Sequence, residues 1–271
     1  MTLAGGAKMK AYWAIVKGEM MIGAMYRASF IFTVLSNLLY IALVYYLWSS
    51  IYRGATVIRG MTFQQTFVYL ALGSSIFILF KTYSDWIISH RILEGSITVD
   101  LFKPIDFQLQ MLSHAAGRAL SSFAIITAPA LVVVGLIVGS SVPIGLGWLF
   151  FLPALLIAFV ISFLLDYVVG LSSFYTASLW GISMTKEIIV TLLSGALIPI
   201  QFFPEAVQGI LKVLPFQTMY NVPLTMITQP DRPVGDFAGM LLVQVLWLMA
   251  LWMLSRLFFR RAVRVLTVAG G

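Results

Sequence analysis

Residues 90–118 read HRILEGSITVDLFKPIDFQLQMLSHAAGR, the one long polar interruption between the apolar runs of the first 165 residues. A charged segment persists between two membrane spans only where water or a protein partner solvates it, so the stretch is read as a cytoplasmic docking element. Its surroundings set the class. The 271 residues are 61% hydrophobic and only 10% charged, whereas a soluble domain carries about a quarter charged residues. A water-soluble globule is excluded, and a polytopic all-α membrane protein is expected, with one transmembrane domain over 1–271.

An apolar helix needs about 20 residues to cross the hydrocarbon layer. Six runs meet or approach that length, at roughly 28–50, 63–89, 119–139, 147–171, 182–203 and 237–259. Lysine and arginine set the orientation. With the N-terminus inside, Lys8, Lys10, Lys17, Arg27, Lys81, Arg91, Lys103, Arg118, Lys186, Arg256, Arg260, Arg261 and Arg264 fall on the cytoplasmic side, and only Arg53, Arg59, Lys212 and Arg232 fall outside. Both termini are therefore expected in the cytoplasm. Topology also explains the net charge of +7 better than nucleic acid does, because the basic residues form no single patch.

No cleavable signal is expected, since Lys8, Lys10, Lys17 and Glu19 interrupt the first 25 residues. Apolar residues at 9, 12, 13, 16 and 20 follow helical spacing there, which predicts an amphipathic helix along the cytoplasmic interface, with a plain solvated leader as the alternative. The fifth run differs from the rest. Gly195, Pro199, Pro204, Pro215 and Pro223 break any continuous helix. A short span followed by a re-entrant hairpin on the outer side is expected, or else a span running back to Gly181 with an ordinary external loop.

Chemistry of its own is hard to find in the chain. It has no cysteine, no Gly-Lys pair and therefore no P-loop, and only two histidines, His90 and His114; no cofactor or metal is expected to bind it. Gly73-Ser74-Ser75-Ile76 and Gly181-Ile182-Ser183-Met184 resemble the serine element of an intramembrane protease, but no histidine follows residue 114, and small residues packing helix on helix explain both matches. Lys81 and Asp85 are spaced to pair along one face of span two. Asp166 has no partner nearby in sequence. It reads either as part of a polar path or inter-helix lock, or as a carboxylate reaching headgroup water.

Taken together, six spans, cytoplasmic termini, an interfacial N-terminal helix, the polar segment between spans two and three and a Gly-x-x-x-Pro-x-x-x-Phe-Pro break after span five resemble the permease subunits of type 2 ABC exporters. The similarity is carried by Arg91-Ile92-Leu93-Glu94-Gly95, by Leu101-Phe102-Lys103-Pro104-Ile105-Asp106, and by Gly195, Pro199, Phe203, Pro204, Pro215 and Phe216 of the hairpin. The resemblance implies a coupling helix over 91–106 that docks on a cytoplasmic ATPase. Glu94, Gly95, Asp100, Lys103 and Asp106 would supply its polar groups, Ile97, Val99, Leu101 and Phe102 its apolar anchor, and Pro104 its end.

The resemblance further implies two ATPase subunits per complex, which hold the ATP and magnesium, and a second six-span permease, identical or related. The pathway between the permeases would be lined by spans one, two and five, with Ser36, Asn37, Tyr40, Thr82, Tyr83, Thr191 and Ser194 as its polar groups. The cargo would be hydrophobic, amphipathic or lipid-linked. Expected partners are thus the ATPases, the second permease and membrane lipid, without nucleic acid. The setting is a prokaryotic plasma (inner) membrane. A proton-coupled secondary transporter is the alternative, and a membrane-embedded enzyme a more distant one.

Overall fold

The computed structural model describes residues 5–25, 27–139 and 145–265; of the basic residues counted above, the Arg27 side chain lies outside the described residues. Helix α1 covers Gly5–Met25, α2 Arg27–Ile51, α3 Phe63–Phe80, α4 Ser84–Leu93, α5 Ile97–Phe102, α6 Phe107–Ser122 and α7 Ala128–Val138. Then come α8 (Gly147–Leu171), α9 (Trp180–Leu193), α10 (Glu205–Val213), α11 (Asn221–Thr228) and α12 (Val234–Ala262). A small antiparallel hairpin, β1 (Val57–Ile58) and β2 (Met61–Thr62), joins α2 to α3. Thr62 then starts α3 with a reciprocal cap: its hydroxyl accepts from Gln65 N, and the Gln65 carbonyl accepts from Thr62 N. Two donors that the first turn leaves open are thereby satisfied.

Among the described residues five helical stretches are long and apolar enough to cross a membrane: Ile31–Ile51, Phe63–Leu93, Phe107–Ile137, Gly147–Phe174 and Val234–Val265. They overlap the first four expected runs and the last. The third is longer than the sequence suggests. It begins at Phe107, passes through a π-helical turn at Phe123–Thr127 and continues as α7. Pro129, in the first turn of α7, has no N–H for the carbonyl four residues earlier, and the ladder widens ahead of it. Residues 107–118 are thus helix, not a water-solvated connection. Their polar side chains find protein instead: Asp106 caps Leu109 N, Gln108 donates to Ser255 and Gln110 to Asp100.

The fifth expected run, 182–203, is not one helix. α9 begins at Trp180 and stops after 14 residues, about 21 Å at the helical rise. Gly195 follows with φ +82°, and a Cβ there would lie 2.8 Å from the Tyr69 hydroxyl, so only glycine fits the turn. Pro199, Pro204 and Pro215 each stand immediately before a short element, Ile200–Phe202, α10 and Phe216–Thr218 respectively. Their fixed φ restarts the chain after each break.

At the centre of the bundle stands α3. Of its most apolar stretch 67% is buried, against 17–33% for the other four long helices. α8 packs against α4, α11 and α12, and α2 lies along α3. α1 packs on α6. Two of its polar groups face the protein: Tyr12 accepts from Asp106 N, and Glu19 meets His114 and Arg118. Met9, Trp13, Met21 and Met25 face outward. A helix is present where one was expected; it exposes Lys10 and Lys17 alongside these apolar residues, and packs Tyr12, Val16 and Glu19 toward α6.

The crossing of α1 over α6 depends on Gly117, where a Cβ would come within 2.6 Å of both the Glu19 Cβ and the Val16 carbonyl oxygen. Gly117→Val should force the helices apart and lower stability by about 1–3 kcal/mol. Thermal unfolding in detergent measures this; a wild-type melting temperature would show that the crossing carries no such constraint.

Candidate functional site

A cavity of ≈590 Å³ with a polar stripe in its lining forms where three helices are interrupted. One wall is α2, which presents Thr33, Ser36, Asn37 and Tyr40 at helical spacing. A second is the junction of α3 with α4. There the helix opens after Phe80, and Tyr83 takes φ +51°, a left-handed conformation that is rare for a bulky side chain; Lys81 and Tyr83 line the cavity as a result. The π-helical turn contributes Ile126, and the end of α9 contributes Thr191 and Leu197. Asn37 ties two walls together: it donates to Ser75 at 3.3 Å and accepts from Ser74 at 2.9 Å.

Five of the seven polar positions named from the sequence, Ser36, Asn37, Tyr40, Tyr83 and Thr191, line this one cavity. The other two do not. Thr82 is buried against Ser84, while its carbonyl accepts from Arg118 Nε at 2.9 Å. Ser194 is buried at the end of α9, where its carbonyl accepts from Asn221 N. Sequence reading missed Thr33, Ser74 and Lys81 as lining residues. The signal for Thr33 was present: 33, 36, 37 and 40 form a polar stripe at i, i+3, i+4, i+7 on an otherwise apolar helix.

Beside the cavity lies a buried ion cluster. Lys186 of α9 reaches Asp85 of α4 at 2.9 Å and Asp166 of α8 at 2.6 Å. Ser183, one turn earlier, donates to the same Asp85 carboxylate at 2.6 Å, and the neighbouring Glu187 pairs with Lys81 at 2.8 Å. One sequence expectation is corrected here. Lys81 and Asp85 do not pair with each other, because the break at 81–83 removes the helical register that would align them. Of the two readings of Asp166 its geometry matches the inter-helix lock: the carboxylate is buried and pairs with Lys186, 20 residues away. Ser183 and Gly73, from the two serine-protease-like elements, are engaged in packing: Ser183 bonds Asp85, and the site of a Gly73 Cβ lies 3.3 Å from Leu224.

The segment expected as one helix over 91–106 has three parts. α4 ends at Leu93, Glu94 and Gly95 (φ +74°) make a turn, and α5 covers only Ile97–Phe102 before Lys103 and Pro104 end it. Its apolar residues divide. Ile97 is fully buried and Leu101 packs on the core, while Val99 and Phe102 are 64% and 89% exposed. Of the four apolar residues named from sequence, Val99 and Phe102 thus face outward, and Ile97 and Leu101 face the protein. Glu94 remains at the surface near His90.

Asp100 turns inward and takes an ion pair from Arg91, a 2.7 Å bond from Lys103 and a 2.8 Å bond from Gln110. Burial opposes its ionisation, but Lys103, Gln110 and Arg91 outweigh burial and hold the carboxyl below its usual range. With a depressed pKa the pairing is fully present above the ordinary carboxylate value and is lost only as pH falls through the lower one. Asp106 caps α6 and pairs with Arg256. At Glu19 burial again opposes ionisation, and His114 and Arg118 outweigh it, so this carboxyl too sits low.

Long apolar helices, a polar cavity where they break and charges paired across them define a membrane-embedded permease. The family profile of the ABC-2 family transporter protein matches residues 38–270, and the chain belongs to that family. It is thus a multi-pass membrane subunit of an ABC transporter, and permeases of this family work with ATPase partners. No curated protein matches the chain.

Replacing Lys186 by Met should leave Asp85 and Asp166 uncompensated in a buried site and destabilise the fold by about 3–5 kcal/mol. The triple variant Lys186→Met, Asp85→Asn, Asp166→Asn should recover most of that loss, since no unpaired charge remains. Unfolding in detergent compares them; equal stability of the single variant and the wild type would remove the lock.

Proposed function

We propose that this chain is one permease of a type 2 ABC exporter, that the ≈590 Å³ cavity is its half of the translocation pathway, and that residues 94–106 are its coupling segment. The observation that carries the reading is the junction of α3 and α4. There a polar cavity and a short segment with an exposed apolar anchor are linked by one helix of ten residues, about 15 Å long. Arg91 at one end of α4 bonds α5, and Asp85 at the other bonds α9. A push on α5 would therefore reach a wall of the cavity through ion pairs and a single rigid helix. Bond chemistry has no place in this scheme, and ATP with magnesium belongs to two partner ATPase subunits.

The exposed apolar face of α2, with Ile31, Leu35, Leu39 and Tyr46, flanks the cavity together with Ile188 and Leu192 of α9. A second permease, identical or related, would cover these faces and close the pathway between two copies. The six-crossing topology is completed by α9 with the chain after it, and the break at Gly195–Pro204 with α10 forms the hairpin of the outer leaflet. Val207, Ile210 and Val213 of α10 stay exposed and would rest in lipid. Lysine and arginine bias supports a cytoplasmic location for both termini, and the setting proposed for the chain is a prokaryotic plasma membrane. The cavity, walled by aromatic and aliphatic groups around a polar stripe, suits an amphipathic or lipid-linked compound.

Val99→Ala with Phe102→Ala should weaken ATPase binding by roughly 1–3 kcal/mol per well-packed anchor while the protein still reaches the membrane, since neither side chain is buried in the fold. Copurification of a partner ABC ATPase, with stimulated hydrolysis, provides the readout. Unchanged binding and transport would place the docking surface elsewhere. Single cysteines along 205–213, introduced into this cysteine-free chain, should label slowly with an impermeant thiol reagent at 207, 210 and 213 and rapidly at 205 and 212. Uniform rapid labelling would take the hairpin out of the lipid.

A further inference from the structure

A second cavity, ≈260 Å³, lies at the other end of the bundle, between the chain after α9, α11 and the start of α12. It is lined at Gly239 and Val243, whereas α12 meets the segment below α5 at Ser255 and Arg256. Sixteen residues of helix separate Gly239 from Ser255, about 24 Å at the helical rise. The two regions are therefore independent.

Its polar lining is rich in donors. Lys212 stands exposed at the rim, and its ammonium has no partner among the described residues. Arg232 gives one N–H to Gln229 at 2.7 Å and keeps a distant 3.9 Å contact with Asp236, which leaves most of its five donors for other use. The Gln217 and Asn221 amides each spend one N–H on the protein and hold a second. Deeper in, Thr225 is 2% exposed and its hydroxyl has no partner. Thr228, three residues on in the same helix, bonds back to the carbonyl of Leu224 at 2.8 Å; Thr225 makes no such bond. Among the described residues no carboxylate lines the cavity. A buried hydroxyl left open among cations and amide donors calls for a partner from outside the chain.

We propose that this cavity is an oxyanion site that takes a phosphate group, carried by a lipid headgroup or free in solution. Charge-assisted bonds from Lys212 and Arg232, with a hydroxyl and amides converging from below, match the several acceptor oxygens of a phosphate. The carbonyl oxygen of Gln201, also buried without a partner in the same cavity, requires a donor. A phosphodiester bearing a free hydroxyl provides one and a bare dianion does not, so a hydroxylated headgroup such as phosphatidylglycerol satisfies both ends of the site.

Thermal unfolding of the full-length chain in a phosphate-free maltoside detergent tests this at constant ionic strength. Short-chain phosphatidylglycerol should raise the melting temperature by several degrees beyond short-chain diacylglycerol, which has the same tails and no phosphate. Thr225→Val, of equal volume, should reduce the shift, and Lys212→Gln with Arg232→Gln should abolish it. Should the double variant fold poorly, Lys212→Gln alone, at an exposed position, must still reduce it. An equal shift from inorganic phosphate would assign the site to free oxyanion. An equal shift from diacylglycerol, a phosphatidylglycerol shift that survives these substitutions, or no shift with either phosphate probe would overturn the proposal.

Discussion

The position of α9 rests on one lysine. Of its fourteen residues only Ser183 and Val190 are buried, too little apolar contact to fix a helix against its neighbours. Lys186 supplies what packing does not. Its ammonium cannot stand alone in an apolar interior, and the two carboxylates that neutralise it come from different helices. α9 can therefore rest only where it meets α4 and α8 together. Glu187 repeats the arrangement toward Lys81, which gives the helix a rotational setting as well as a height. Since Thr191 lies one turn further along and lines the cavity, the cavity's width at that wall follows from ion pairing.

A second constraint comes from the solvent. Hydrocarbon offers no partner to a peptide group, so a helix can open inside the membrane region only where protein satisfies the freed atoms. Two of the interruptions are served in that way: Arg118 donates to the Thr82 carbonyl at the α3–α4 junction, and Asn221 N donates to the Ser194 carbonyl after α9. The breaks consequently turn inward, and the polar surface they expose becomes a cavity. The same economy appears in α6, where Gln108 and Gln110 trade water for Ser255 and Asp100. At these positions polar residues report contacts between helices and not contact with water.

That last point explains what the amino-acid sequence revealed and what it concealed. Long apolar runs were legible because the bilayer sets their length, and α8 ends at the residues read from composition. The interruptions by Gly195 and the prolines were legible because their backbone limits are local. The start of α6 was hidden, since Gln108, Gln110 and Ser113 look alike whether they face water or a neighbouring helix. The partner of Asp166 was hidden too: Lys186 lies on another helix, and spacing within one helix says nothing of pairing between two. Within 94–106, alternation could not tell that Ile97 points in while Phe102 points out, because six residues of helix have no stripe long enough to define a face.

Tyr83 gives the molecule a property of a different kind. A left-handed backbone at a bulky residue costs on the order of 1–2 kcal/mol, and Tyr83 holds it at the junction where α3 hands over to α4. Any arrangement of the bundle that lets this residue relax to an ordinary conformation starts with that much in its favour. At about 1.4 kcal/mol per factor of ten, the handicap shifts the balance between two conformers by roughly an order of magnitude. A permease must visit more than one shape in each cycle, and a junction held above its minimum leaves the resting shape closer in free energy to the next one.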